Sequence, residues 1–245
     1  MSLKPILFIP DTHRPYHDKR AWRVMIKAAQ LIKPYRIVIQ GDFADFYSVS
    51  SHNKDPNRVK QLEVEVKDVL RGFDELDALG AVKKDFIAGN HENRLERYLS
   101  TRAPEVFNLL SIPELFQLKA RGWTYTPYRS DLHVGKIHVT HDVGACGRYA
   151  VFKALDTYQD NSLTGHTHRL AYIVEGTAIG IPHISASFGW LGDKTQADYM
   201  HRIKANRDWA LGFGVGYQRG NGVIHVQPVP IINYSVVVNG KLVEA

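Results

Sequence analysis

Three short apolar runs, each ending in a polar residue able to do chemistry, constrain this chain more than any other feature. Ile6–Pro10 ends at Asp11, Arg36–Gln40 ends at Gly41-Asp42, and Asp85–Ala88 ends at Gly89-Asn90. Continuous apolar runs of this length suit strands buried on both faces. Between the first two, Lys19–Ile32 places Trp22, Met25, Ile26, Ala29 and Ile32 at helical spacing, and Pro34 stops the pattern. Between the second and third, Asn57–Leu79 repeats apolar residues at 62, 66, 69, 70, 73 and 76, a long helix with Gly80 as its end signal. The first half therefore reads β-α-β-α-β. In open sheets of this kind the site lies beyond the carboxyl ends of the strands, which is where Asp11, Asp42 and Asn90 fall.

His91–Ser100 is predicted helical, and Pro104 and Pro113 punctuate two shorter helical pieces. The character changes after Arg121. Trp123–Tyr128 alternates like a strand, Leu132–Val134 and Lys136–Thr140 flank a turn at Gly135, and Arg148–Tyr158 reads as one more helix. From Ser162 onward the pattern is strand, turn, strand, with Asn221-Gly222 and Asn239-Gly240 as hairpin signals. The expectation is an α/β fold of two packed sheets with helices outside, in one domain over residues 1–245.

Composition excludes several classes. Of 245 residues, 44% are hydrophobic and 23% charged, which argues against disorder and coiled coil. The one cysteine, Cys146, cannot close an internal disulfide, so a disulfide scaffold and a thiolate metal site are both excluded. Cys146 itself is expected to be a packing residue. No run approaches the length of a membrane-spanning helix, so no membrane partner is expected. The N-terminal apolar run reads as a strand rather than a signal peptide, and the expected location is a reducing, cytoplasmic one. Lys and Arg number 31 against 25 Asp and Glu, a net +6 compatible with a phosphate-bearing partner.

The chemistry is concentrated in five clusters: Asp11-Thr12-His13, Gly41-Asp42-Phe43-Ala44-Asp45, Gly89-Asn90-His91-Glu92, His141-Asp142 and Gly165-His166-Thr167-His168. Four of them directly follow an expected strand. The i, i+2 spacing of Asp11 with His13 and of His166 with His168 aims both side chains of each pair to one side of an extended chain. Glycines before Asp42, Asn90 and His166 allow close backbone approach. The donor set is oxygen and nitrogen without sulfur, which suits manganese, iron, zinc or nickel, and it is large enough for two ions.

The ordered set D-x-H, G-D-x-x-D, G-N-H-E, H and G-H-x-H, running from residue 11 to 168, resembles the calcineurin-like metallophosphoesterase superfamily. The resemblance implies a four-layer αββα fold, a two-sheet β-sandwich flanked by helices. It implies a two-metal centre with manganese as the first expectation. Asp11, His13 and His168 would hold one ion, Asn90, His141 and His166 the other, and Asp42 would bridge them. A bridging hydroxide would attack phosphorus in line. His91 would bind a phosphate oxygen or protonate the leaving oxygen, and Asp45 would orient His91. His141 is preferred to His138 because it ends the run Ile137–Thr140, whereas His138 sits inside it.

The implied activity is hydrolysis of a phosphoester. The arginine-glycine pair of phosphoprotein phosphatases is missing after Asp45, where Phe46-Tyr47 stands, and this favours a phosphodiesterase on nucleotides or nucleic acid. A phosphomonoesterase is the alternative, and a non-catalytic metal-dependent binding module is a third reading. The stretch Asp45-Phe46-Tyr47-Ser48 with His52 and Lys54-Asp55-Pro56 is similar to small phage and bacterial members. Nothing in the pattern marks an oligomer face.

Substrate contacts are expected from Arg169 and Arg148, which follow His168 and His141, and from His52 and His201. His201 lies in a basic segment with Arg202, Lys204 and Arg207. An ordinary solvated charge run explains that segment equally well. Arg94, Arg97 and Arg102 could form an anionic-substrate wall, but surface neutralisation by Glu92 and Glu96 is the simpler reading. Asp142 is expected to orient His141 or face solvent. Core packing is the simpler reading for Trp123, Tyr125, Tyr128, Phe188 and Trp190.

Overall fold

The structure is a computed structural model that describes residues 3–51, 54–56, 60–196 and 208–245. Strand β1 (Lys4–Ile9) is followed by α1 (Lys19–Ile32), β2 (Arg36–Ile39), α2 (Leu62–Asp77), β3 (Lys83–Ile87) and α3 (Glu92–Arg102). These are the elements the first half encodes. Helix α1 runs over the expected residues, with the Asp18 side chain accepting from the amides of Arg20 and Ala21 at its start. The helix expected from Asn57 begins at Leu62, and residues 57–59 lie outside the description.

Beyond α4 (Ile112–Leu115) come β4 (Thr124–Thr126), β5 (Leu132–Val134), β6 (Ile137–Val139), α5 (Ala150–Tyr158), β7 (Ser162–Thr164), β8 (Leu170–Glu175) and β9 (His183–Phe188). The chain finishes with β10 (Gly212–Gln218), β11 (Ile224–Pro230), β12 (Ser235–Val238) and β13 (Lys241–Glu244). One sheet has the order β11-β10-β1-β2-β3-β4 and the other β5-β6-β7-β9-β8. Strands β1 to β4 are mutually parallel, as are β6, β7 and β9.

The unbroken apolar character of β1 now has its reason. Ile6 and Phe8 point into the layer between the sheets, with Val38, Ile87, Leu163 and Phe188. Leu7 and Ile9 point the other way, into the layer under α1 and α2, with Met25, Ala28, Phe73 and Phe86. All four strand residues are fully buried. Helix α5 covers the far face of the second sheet against β7 and β9. The layers are thus helix, sheet, sheet, helix, as expected.

The C-terminal strands do not all join the second sheet. β10 pairs antiparallel with β1 and brings β11 with it, so both extend the first sheet. β12 and β13 form a separate ribbon against α1. Among the described residues no helix is long and apolar enough to cross a membrane.

Candidate metal centre

The carboxyl ends of β1, β2, β3, β6 and β7 open onto one edge of the paired sheets. Asp11, Asp42, Asn90, His141 and His166 follow them in that order. The loops after β1 and β2 are laced together, since the amides of Thr12 and His13 both donate to the Asp42 carbonyl at 2.9 and 2.8 Å. The ends are also strained. His13, Asp42, His166 and His168 all take positive φ, between 50° and 66°, although none is glycine. Such strain persists only where the surroundings over-determine it, and it gathers at functional sites.

Two glycines make the approach feasible. At Gly41, with φ of 93°, an added Cβ would lie 2.5 Å from His141 Nδ1. At Gly89 it would collide with the Asp42 carboxylate and amide. A larger residue at either position would displace a side chain of the site.

All seven residues expected as metal ligands come together. Asp11, His13 and His168 form one group whose ligand atoms lie within 4.8 Å of one another, and Asp42, His141 and His166 form a second. His13 Nε2 lies 2.9 Å from His168 Nε2, and His168 Nε2 lies 3.1 Å from Asp11 Oδ2. His141 Nε2 lies 3.4 Å from Asp42 Oδ2 and 2.9 Å from Asn90 Oδ1.

These residues fit divalent cations on their own chemistry. Asp11 is completely buried, and its Oδ2 receives no well-aligned hydrogen bond. The Gln40 carbonyl, 2.9 Å from His141 Nδ1, accepts only, so that nitrogen keeps its proton and Nε2 is the one that would give its proton up to an ion. Of the two expectations for Asp142, that it orients His141 is not met, and it is half-buried rather than fully in solvent. Asp142 Oδ1 accepts from the Gly144 amide at 2.8 Å, and the Gln40 carbonyl orients the ring.

Buried charge sets the protonation of the group. Burial opposes ionisation of Asp42, but His141 and His91 hold its carboxyl well below the usual range. Burial would lower the His141 pKa, yet Asp42 beside it pushes it up to about 10. An ion arriving there displaces a proton, which links loading to pH. Asp45 is held at about 2, burial being outweighed by His91, His13 and Arg94.

His91 lies beside both groups. Its Nδ1 faces the Asp45 carbonyl at 3.0 Å and its Nε2 faces Arg94 Nη2 at 2.8 Å. A guanidinium only donates, so Nε2 accepts and Nδ1 donates to the carbonyl. Burial, reinforced by Arg94, drives the His91 pKa well below its ordinary value despite Asp42. The Asp45 carboxylate lies 3.6 Å from the ring, so the backbone of Asp45 makes the closer contact.

Several expectations change. Glu92 is not a surface neutraliser. It is completely buried and accepts from the amides of Asp42, Ala44 and Gly89 at 2.9, 2.8 and 2.7 Å. Its pKa is raised to about 7 by burial and by the charge of Asp42. Arg94 is not a solvated surface cation either, being tied to Asp45 and His91. Cys146, expected to pack, is exposed.

Arg169 pairs with Asp208 at 2.6 Å and reaches the carbonyls of Cys146 and Thr167, while Arg148 is exposed. His52, His201, Arg202, Lys204 and Arg207 lie outside the described residues. Trp190 is buried as expected, but it also stacks on His168 with ring centres 4.7 Å apart, and Trp209 meets the same imidazole edge-on at 4.2 Å. The roles of Glu92 and Gln40 were not found by sequence reasoning, since the Asp42 and Ala44 amides that meet the one and the His141 ring that meets the other lie far away in the chain.

The chain is 26% identical to the Gene 54 protein of Mycobacterium phage D29, over 98% of this chain and 99% of the phage protein. It is 25% identical, over the same shares, to the Gene 54 protein of Mycobacterium phage L5. Among solved structures, vacuolar protein sorting 29 from Cryptosporidium parvum superposes with a TM-score of 0.49 at 13% identity, covering 99% of this chain and 95% of that one. The Thermus thermophilus protein TT1561 gives 0.38 at 11% identity, covering 93% and 99%. A family profile described as calcineurin-like phosphoesterase matches residues 4–215. With that match spanning most of the chain, the protein belongs to the calcineurin-like phosphoesterase family.

Proposed function

We propose that this protein is a two-metal phosphodiesterase acting on nucleotides or nucleic acid in the cytoplasm, with manganese as its working ion. The observation that carries this reading is the pair of largely buried oxygen and nitrogen donor groups at the strand ends, Asp11-His13-His168 and Asp42-His141 with the half-buried His166, and with Asn90 against His141. Two divalent ions there would neutralise phosphoryl charge and supply a water-derived nucleophile at neutral pH.

The chain's own residues do the rest. Asp11 and Asp42 supply buried carboxylates, and we assign Asp42 the shared position between the two groups. Gln40 holds His141 in the tautomer that presents Nε2. We assign His91, buried beside both groups and oriented by the Asp45 carbonyl and by Arg94, the contact to a phosphate oxygen; protonating the leaving oxygen would require its Nε2 first to take up a proton. Phe46 and Tyr47 are buried at the place where protein phosphatases carry an arginine-glycine pair, which supports a diester over a phosphoprotein.

The test is turnover of bis(p-nitrophenyl) phosphate and p-nitrophenyl phosphate side by side with Mn²⁺, and with EDTA as the control. Metal-dependent turnover that favours the diester is the expected result. Preference for the monoester would make the protein a phosphomonoesterase. Two bound ions without turnover of either would make it a binding module.

A further inference from the structure

A basic groove runs from the candidate metal centre along α3. It consists of two cavities, of about 340 and 170 Å³, that share Ser50, Ser51, Arg94 and Arg97. The smaller begins at Asn90, one of the expected ligands, and is walled by Tyr128 and Arg129. The larger continues outward past Lys54 and Tyr98 to Arg102. Among the described residues no carboxylate lines either cavity, although five cationic side chains do.

The helix itself lays out the cations. Arg94, Arg97 and Thr101 follow at i, i+3 and i+7, and Tyr98 and Arg102 at i+4 and i+8, so one face of α3 carries all of them. Arg94 is bound to Asp45 and to His91, and so joins the groove to the site. Arg97 and Arg102 are exposed and make no ion pair with the described residues. The nearby Glu96 turns away to accept from the Tyr125 hydroxyl at 2.9 Å. Tyr98 is 44% exposed beside these arginines.

We propose that this groove binds a single strand of nucleic acid and leads one of its phosphodiesters to the metal centre. This rests on the phosphodiesterase reading above. A charged track with a half-exposed aromatic beside it is the arrangement that holds single strands, the cations following the backbone and the ring stacking a base. The eleven residues of α3 rise about 15 Å, longer than one nucleotide and sufficient for several phosphates of a stacked chain.

The experiment is fluorescence anisotropy of a short labelled oligothymidylate in EDTA, titrated with wild-type protein across a range of salt. Binding should weaken steeply with salt. Arg97→Gln with Arg102→Gln should weaken it about tenfold or more at low salt, and should reduce the slope of log K against log salt by about 1.4, or about 0.7 per phosphate contact. Tyr98→Ser should weaken it roughly tenfold through the lost stacking. Lys136→Gln with Lys241→Gln makes the same charge change outside the groove and should leave binding at the wild-type value.

No binding at low salt would overturn the proposal, as would wild-type affinity in the Arg97/Arg102 variant. Displacement of the label by polyglutamate as readily as by unlabelled oligothymidylate would also overturn it, since it would mean charge attraction without base recognition. Turnover of bis(p-nitrophenyl) phosphate by the wild type keeps the two readings apart. Turnover without oligothymidylate binding sinks the groove alone, and binding without turnover sinks the phosphodiesterase reading alone.

Discussion

Four groups of one aspartate and two histidines lie among the described residues, and two of them contrast. Asp11, His13 and His168 form one, and Asp131, His133 and His138 form the other, each with ligand atoms within 4.8 Å of one another. The second stands on the β5–β6 hairpin, where His133 and His138 are directly opposed and Asp131 Oδ2 lies 2.6 Å from His138 Nδ1. By ligand type and spacing the two are equals, and their surroundings separate them. The hairpin triad sits on ordinary backbone, with 63% of the His133 side chain exposed. In the first triad Asp11 is completely buried and both histidines take positive φ. Burial makes each uncompensated carboxylate costly, and strain is retained only when a fold has reason to hold it. Donor proximity identifies a cluster, while a buried and strained support identifies a centre.

The sharpest way to break that contrast is Asp42→Asn. If Asp42 serves both donor groups, ions per chain should fall from two to below one by elemental analysis, and metal-dependent turnover should disappear. Retention of two ions would remove Asp42 from its shared role. Next, His91→Ala should keep the metal content and lower kcat by about 10²–10⁴. Joint loss of metal and activity would make His91 a ligand.

Stability tests the support itself. Glu92→Ala leaves the amides of Asp42, Ala44 and Gly89 buried without their acceptor and should cost about 3 kcal/mol or more by urea unfolding. Asp131→Ala in the hairpin triad should cost about 0.5 kcal/mol or less. Similar costs for the two would erase the distinction drawn between the triads.

A smaller effect separates buried from exposed histidines. Burial, reinforced by Arg14, lowers the His17 pKa from 6.5 to about 3. Below pH 6.5 the unfolded chain takes up this proton and the folded chain does not, so stability is lost as pH falls from 6.5 toward 3. Between pH 6.5 and 4.5 the wild type should lose about 2 kcal/mol more than His17→Gln, read as the difference between their urea-unfolding curves. Parallel acid limbs would mean that His17 is charged in the folded state.

The layer order, the four strand-end clusters and the full span of α1 were legible because they depend on local signals, namely apolar run length, periodicity and the residue that ends each run. What stayed hidden depends on pairs far apart in sequence. Glu92 opens a helix reading Glu-Asn-Arg-Leu-Glu-Arg, and nothing within that segment says that its first residue turns inward to loops 50 residues earlier. Arg94 reaches Asp45 in the same way. The entry of β10 beside β1 joins positions more than 200 residues apart, and no strand carries in its own letters the name of its neighbour. The hydrogen-bond partner of His141 was illegible for another reason, because a backbone carbonyl belongs to no residue type.

Of the four tryptophans in the chain, Trp190 and Trp209 both lie against the imidazole of His168, while Trp22 and Trp123 pack elsewhere, against Phe43 and Phe73. A paramagnetic ion quenches an indole's emission only at short range. Adding Mn²⁺ should therefore dim one pair of indoles and spare the other, and the chain reports in its own ultraviolet light when the first group fills.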